Sequence, residues 1–215
     1  MLDARGVIFD MDGVLVDSGA HHRAAWRALL DELGERPARE EHWRLTIGRP
    51  GTEAVALLLG RPVPEAEARR LAGRKRAHYQ RLARAGVVAI PGAPTFVETL
   101  AARGIPRAVA TSAAREDAER LLAGLGLRRH FEVVVASEDV WRGKPDPEVY
   151  LLAARRLGLE PGACLVFEDS LVGVEAARRA GMPVVGVSTA HAADELSAAG
   201  ARRVIASFEG VTWPM

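Results

Sequence analysis

The chain has 215 residues, 48% of them hydrophobic and 27% charged, with a net charge of +1, so it is the composition of one ordinary globular domain or a core with a modest insert. The neutral balance gives no footing for nucleic acid or an anionic membrane, and no apolar run approaches the ~20 residues of a membrane span. Cys164 is the only cysteine, which excludes an internal disulfide, and the acidic Asp3 near the start is unlike the basic opening of a signal peptide, so a cytoplasmic protein is expected.

The first element is an apolar run, Val7-Ile8-Phe9, that leads into "DMDGVLVDS". Asp10, Asp12 and Asp17 therefore crowd a strand end where a fold has no structural need of them. From about Ser18 to Ala85 no strand pattern is evident. "HRAAWRALLDELG" reads as a helix stopped by Gly34, and Thr52–Leu59 and Glu65–Ala85 follow with helical spacing. Beyond them Ala108-Val109-Ala110, Val133-Val134-Val135, Leu165-Val166-Phe167, Val184–Val187 and Val204-Ile205-Ala206 alternate with helical stretches such as 113–125 and 147–157. Short continuous β-branched runs of this kind suit strands buried on both faces of a parallel sheet, and their alternation with helices predicts a doubly wound α/β core.

The strand ends carry the chemistry. In open α/β sheets ligands bind at the carboxyl ends of the strands. Two carboxylates two residues apart suit a hard cation such as Mg²⁺, and an aspartate can also serve as a nucleophile toward phosphorus with its neighbour as acid and base. An Asp-Gly turn after a strand explains Asp10 and Asp12 equally well when they are taken alone. Three further stretches favour the chemical reading. "AVATSAARED" puts Thr111 and Ser112 between a strand and a helix, where hydroxyls and amides can hold an anion. "WRGKPDPEVY" places Lys144 before a helix whose predicted N-cap is Asp146 with Pro147 as first helical residue. The chain has 27 arginines and two lysines, so a lysine there indicates a need for a compact point charge. "CLVFEDSLVGVEAARRAGM" ends another strand in Glu168 and Asp169, a second acidic pair, with Asp169 or Ser170 as helix cap.

DMDGVLVDS, the Thr-Ser at a strand end, the Lys before PDP, and FEDS followed by GVEAARRAGM resemble, in order and spacing, the four motifs of the haloacid dehalogenase-like phosphohydrolases. The resemblance implies a Rossmann-like core with an inserted small α-helical cap, here residues 17–86 set between core segments 1–16 and 87–215. A helical cap after the first motif is similar to the subgroup of β-phosphoglucomutases and phosphoglycolate phosphatases. By resemblance Asp10 is the nucleophile and Asp12 the general acid and base, its backbone carbonyl also facing the metal. Ser112 or Thr111 is then the phosphate hydroxyl, Lys144 the motif lysine, and Asp169, assisted by Glu168, the remaining Mg²⁺ ligand.

"GAHHRAAW" resembles the mutase segment, with His22 and Trp26 in matching places; His22 is expected to touch substrate and Trp26 to pack. The cap loop "LTIGRPGTEAV" departs from it. Ile47 and Gly51 stand where the mutase has a lysine and an arginine, and Arg49 is the candidate replacement for substrate binding. The expected function is therefore a Mg²⁺-dependent phosphatase of a small phosphorylated metabolite, a sugar phosphate by preference, acting through an aspartyl phosphate. A phosphosugar mutase is the alternative. A non-catalytic phosphate-binding protein is a third reading, which Asp12 opposes because a binder needs no acid/base beside a nucleophile. A monomer or weak homodimer with no macromolecular partner is expected.

Overall fold

The computed structural model describes residues 4–39 and 41–214, which leaves Asp3 outside the described part. The strands are β1 (Gly6–Phe9), β2 (Val16–Asp17), β3 (Val88–Ala89), β4 (Arg107–Ala110), β5 (Val133–Val135), β6 (Cys164–Glu168), β7 (Val184–Val187) and β8 (Arg203–Ile205). The helices are α1 (Gly19–Leu33), α2 (His42–Leu45), α3 (Gly51–Leu59), α4 (Glu65–Leu82), α5 (Ala93–Ala102), α6 (Arg115–Gly124), α7 (Glu148–Arg156), α8 (Leu171–Arg179) and α9 (Ala193–Ala199). Six strands form one parallel sheet in the order β5-β4-β1-β6-β7-β8.

The burial of the strands follows from the sequence pattern. Val7, Ile8 and Phe9 are fully buried, because parallel strands are covered by helices on both sides and alternate residues feed opposite layers. Phe9 and Val7 join one apolar layer and Ile8 the other. All five phenylalanines of the chain, Phe9, Phe96, Phe131, Phe167 and Phe208, meet in the first layer, with the Phe9 and Phe167 rings stacked at 5.3 Å. Packed aromatic pairs of this kind add about 1 kcal/mol each beyond their burial. They hold β1 and β6 side by side, and so bring Asp10 and Asp169 to neighbouring strand ends. The chain leaves β1 toward β4 and β5 and returns to β6 on the other side, which makes the end of β1 the switch point where such sheets open a crevice.

The helical interval stands as read. Helices α1 to α4 lie between β1 and β4 and bury their own cluster of Trp26, Leu29, Ala54, Val55, Leu58 and Leu71. α1 ends on Gly34 as expected. The pattern did not reveal β2 and β3, two-residue strands that pair antiparallel where the chain enters and leaves the helical unit. Two residues are too few to show a period. Asp146 is not the N-cap of α7; Pro147 holds that position, and Asp146 instead accepts the Glu148 amide at 3.1 Å. Ser170 does cap α8, accepting from the Gly173 amide at 3.0 Å.

Candidate active site

Asp10 follows β1 directly, and its amide donates to Phe167 O at 3.0 Å, so the sheet ladder itself delivers it beside the end of β6. Lys144 comes in from the loop before α7. Its buried ammonium lies 2.6 Å from Asp10 Oδ1 and 2.6 Å from Glu168 Oε1, with Ala110 O at 3.4 Å. Burial alone would lower the lysine pKa, but the carboxylates of Asp10 and Glu168 outweigh it and hold it well above the usual value. Burial pushes the Asp10 carboxyl up to about 8; Lys144 acts against that rise, and Glu168 and Asp12 add to it. Asp169 is also driven well above the usual carboxylate range, by burial first and then by the charges of Glu168 and Asp10.

Asp12 points elsewhere. Its Oδ1 accepts from Ser18 Oγ and faces His22 Nε2 at 3.1 Å. Burial works against its ionisation, but the His22 and Ser18 contacts and the Lys75 charge overcome it and hold the carboxyl below its usual range. On its other side His22 Nδ1 lies 2.6 Å from Lys75 Nζ. With Lys75 donating to Nδ1, Nε2 carries the hydrogen that His22 gives to Asp12. The His22 ring stacks on Tyr79 at 4.2 Å, and Lys75 sits 5.1 Å from the Trp26 ring centroid and 5.4 Å from that of Tyr79. Burial brings the Lys75 pKa down to about 8, against the pull of Asp12 and Asp117. Trp26 is a buried packing residue, as expected. Lys75 was not anticipated, although a signal existed: it is the second of only two lysines, and the argument applied to Lys144 applies to it equally.

The four acidic side chains do not converge on one point. Among the described residues no group of three or more His, Cys, Asp or Glu side chains is arranged to hold a metal. Asp12 is turned to Ser18 and His22, and Glu168 is saturated: Oε1 accepts from Lys144 and from Tyr150 Oη at 3.0 Å, Oε2 from the Ser170 amide at 2.6 Å and its hydroxyl at 2.9 Å. Glu168 is thus better suited to hold the lysine than to ligate a cation directly. The side chains of Asp10 and Asp169 remain. Two buried carboxyls, each driven up by burial and by its acidic neighbours, form a hard-oxygen pair that a dication would relieve. Mg²⁺ is commonly bound by one or two carboxylates plus substrate oxygens and water, so these residues fit it.

The two hydroxyl candidates separate. Ser112 Oγ donates to Gly48 O at 2.9 Å and so ties the loop before α3 to the end of β4. Thr111 is buried at the end of β4, next to Ala110, whose carbonyl lies 3.4 Å from Lys144 Nζ. Arg49 is not brought to the aspartates: its guanidinium bonds Leu45 O at 3.1 Å and Glu53 at 3.4 Å, within the helical unit. Thr189 was also missed. Its hydroxyl donates to Gly13 O at 2.7 Å and lies 3.3 Å from Asp169 Oδ2. A cavity of about 570 Å³ opens beside the lysine side of the site, between Pro50 and Thr52 of the helical unit and Thr111, Trp141 and Arg142 around the sheet. That volume is in the range of small-ligand pockets.

A parallel sheet with a buried aspartate at its switch point, a lysine against it and a second aspartate held by residues of the helical unit has the layout of an α/β enzyme whose ligand crevice lies at the strand ends. The haloacid dehalogenase-like hydrolase model matches residues 4–181, and the chain belongs to that family. It is similar to the fructose-1-phosphate phosphatase of Escherichia coli, at 36% identity over 182 residues that cover 85% of this chain and 95% of that one. It is 35% identical over 196 residues to the chloroplastic 5-amino-6-(5-phospho-D-ribitylamino)uracil phosphatase of Arabidopsis thaliana, covering 90% of this chain but only 52%, about half, of that longer protein. Among solved structures it resembles the β-phosphoglucomutase of Clostridium difficile, with a TM-score of 0.85 and 25% identity across 98% of this chain and 94% of that one. The protein is an enzyme of phosphorylated metabolites, a phosphoric monoester hydrolase of this family or a mutase on the same fold.

Proposed function

We propose that the protein is a Mg²⁺-dependent phosphatase of a sugar phosphate, working through an aspartyl phosphate at Asp10. The observation that carries the reading is the 2.6 Å contact of Lys144 with Asp10, two residues from an aspartate held by a histidine of the helical unit. Residues 17–86 act as a cap over core segments 1–16 and 87–215. Asp10 attacks phosphorus as the carboxylate, the form that Lys144 and a bound dication would favour over the acid, and the P–O bond to the sugar breaks. Lys144 and the Thr111 hydroxyl hold the transferring oxygens. Mg²⁺, held by Asp10, Asp169 and the Asp12 carbonyl, would neutralise charge on the phosphoryl group. Asp12, kept ionised by His22, Ser18 and Lys75, takes a proton from the water that splits the aspartyl phosphate. That proton is the one it hands to the next leaving alkoxide, so the cycle balances. The cap excludes bulk water while Asp10 is attacking. Absence of an apolar helix long enough to cross a membrane among the described residues, with Cys164 a buried free thiol, supports a cytoplasmic setting. We take the working unit as a monomer or weak homodimer.

Phosphate release from a panel of sugar phosphates tests this. Turnover that needs Mg²⁺ and vanishes in Asp10→Asn is expected; full activity of Asp10→Asn refutes it. A phosphomutase is the second reading, favoured by the Lys75–His22–Asp12 chain that links cap residues to the acid/base. Ile47 and Gly51 in the cap loop favour hydrolysis. Isomerised sugar phosphate in excess of free phosphate would decide for the mutase.

A further inference from the structure

Tyr150 has no part in the chemistry above, yet it is among the largest fully buried side chains and lies one residue from the catalytic contacts. It stands in the first turns of α7, six positions after Lys144, and its hydroxyl donates to Glu168 Oε1 at 3.0 Å. The same oxygen accepts from Lys144 at 2.6 Å, and the ammonium lies 4.9 Å from the Tyr150 ring centroid. Lys144 has three hydrogens. Two are spent on Asp10 and Glu168; the third has no close acceptor, with Ala110 O at 3.4 Å and the Tyr150 hydroxyl also near the ammonium, and it is the one a phosphoryl oxygen can take.

The location of that third hydrogen depends on Glu168. Its carboxylate cannot swing: the Ser170 amide and hydroxyl hold Oε2, and Gly173 packs so closely that a Cβ there would overlap the whole group. Oε1 has two acceptor directions. One faces the lysine and the other is filled by Tyr150. Without the hydroxyl, the second direction is a free buried acceptor next to an ammonium, and the ammonium would settle deeper onto Glu168 and away from Asp10.

We propose that Tyr150 is a positioning residue for phosphate capture: by occupying the second acceptor direction of Glu168 Oε1, its hydroxyl holds the Lys144 ammonium forward against Asp10, with one hydrogen free for the phosphoryl group. The proposal rests on the assignment of Lys144 as the phosphate lysine under the reading above. Phenylalanine at this position keeps the ring, its packing and its face toward the ammonium, so Tyr150→Phe isolates the hydroxyl.

The test uses the full chain with Mg²⁺, p-nitrophenyl phosphate as substrate and inorganic phosphate as competitive probe. In Tyr150→Phe the KM and the phosphate inhibition constant are expected to rise about tenfold, the worth of one hydrogen bond to a charged group, with kcat changed less than about threefold. In a Glu168→Gln background the second change should add nothing, because Tyr150 acts through the Glu168 charge. If wild type neither turns over substrate nor binds phosphate, the phosphatase reading itself fails and takes this proposal with it. If wild type is active and Tyr150→Phe keeps KM and phosphate affinity within about twofold, or its effect persists unchanged beside Glu168→Gln, only the positioning role is overturned. Should Tyr150→Phe fold only together with Glu168→Gln, that rescue is the coupling the proposal requires. Failure to fold in both backgrounds assigns Tyr150 to the scaffold and overturns it.

Discussion

Replacing Gly48 by alanine probes whether the cap loop must sit on the core for turnover. Gly48 has φ 76°, a left-handed conformation that costs an alanine ~1 kcal/mol whether or not the loop is docked. The second effect exists only in the docked state. A Cβ would overlap Ser170 Oγ and approach Ser170 Cβ to 2.7 Å and Val172 Cγ2 to 2.9 Å. Ser170 has little freedom to yield, since its hydroxyl donates to Glu168 and accepts from the Gly173 amide. The loop therefore lifts and the 2.9 Å bond from Ser112 to Gly48 O is lost. An overpacking penalty of ~2 kcal/mol and a hydrogen bond of ~1 kcal/mol give ~3 kcal/mol against docking, or about two decades in the docking equilibrium constant. The assay is kcat/KM on the best sugar phosphate, run beside a thermal melt. Gly104→Ala is the control: φ is 65° there and nothing lies within 4 Å, so it carries the same backbone strain with no contact to the core. Gly48→Ala should lose about tenfold to a hundredfold in kcat/KM, the larger figure where docking is only marginally favoured, while Gly104→Ala loses stability alone. If the two variants keep kcat/KM within about threefold of each other, loop docking is not part of the working state.

Other outcomes follow from the cap's charges. Asp117 of α6 is 4% exposed and accepts from Arg76 Nε at 2.5 Å and Gln80 Nε2 at 2.8 Å, both on cap helix α4. Asp117→Asn should raise KM about tenfold, and high salt should narrow the gap from wild type; an unchanged KM at low salt refutes a latch role. Lys75 faces His22 and Trp26 of α1, Tyr79 of its own helix, and the charges of Asp12 and Asp117. With its pKa lowered to about 8, it loses its proton as pH rises past that value and with it the positive charge beside His22 and Asp12, so activity should fall on the alkaline side. Lys75→Met should remove that limb from the kcat/KM profile, and a limb that survives refutes the assignment. Stability runs the other way. Between about 8 and the usual 10.5 the unfolded chain holds the extra proton, so the contribution of Lys75 to folding stability rises with pH across that window, which chemical denaturation at several pH values would show.

Much of this architecture is written locally. Each strand of the parallel sheet is a short, mostly apolar run that suits burial on both faces, and the helix stop at Gly34 and cap at Ser170 are single-residue signals of backbone geometry. Asp10, Lys144 and Asp169 are legible for the same reason: strand ends and helix starts are local features, and their order matched a family. Tertiary structure alone decided which partners those residues meet. Asp12 turns to His22, ten positions away, whose other ring nitrogen meets Lys75, sixty-three positions from Asp12. Glu168 is filled by Tyr150 and Lys144, Ser112 is taken by the loop at Gly48, and Arg49, in the turn between α2 and α3, bonds those two helices. A sequence period states which face of an element a side chain occupies, but hydrogen-bond direction depends on which distant element arrives at that face, and only packing of the cap on the core determines that.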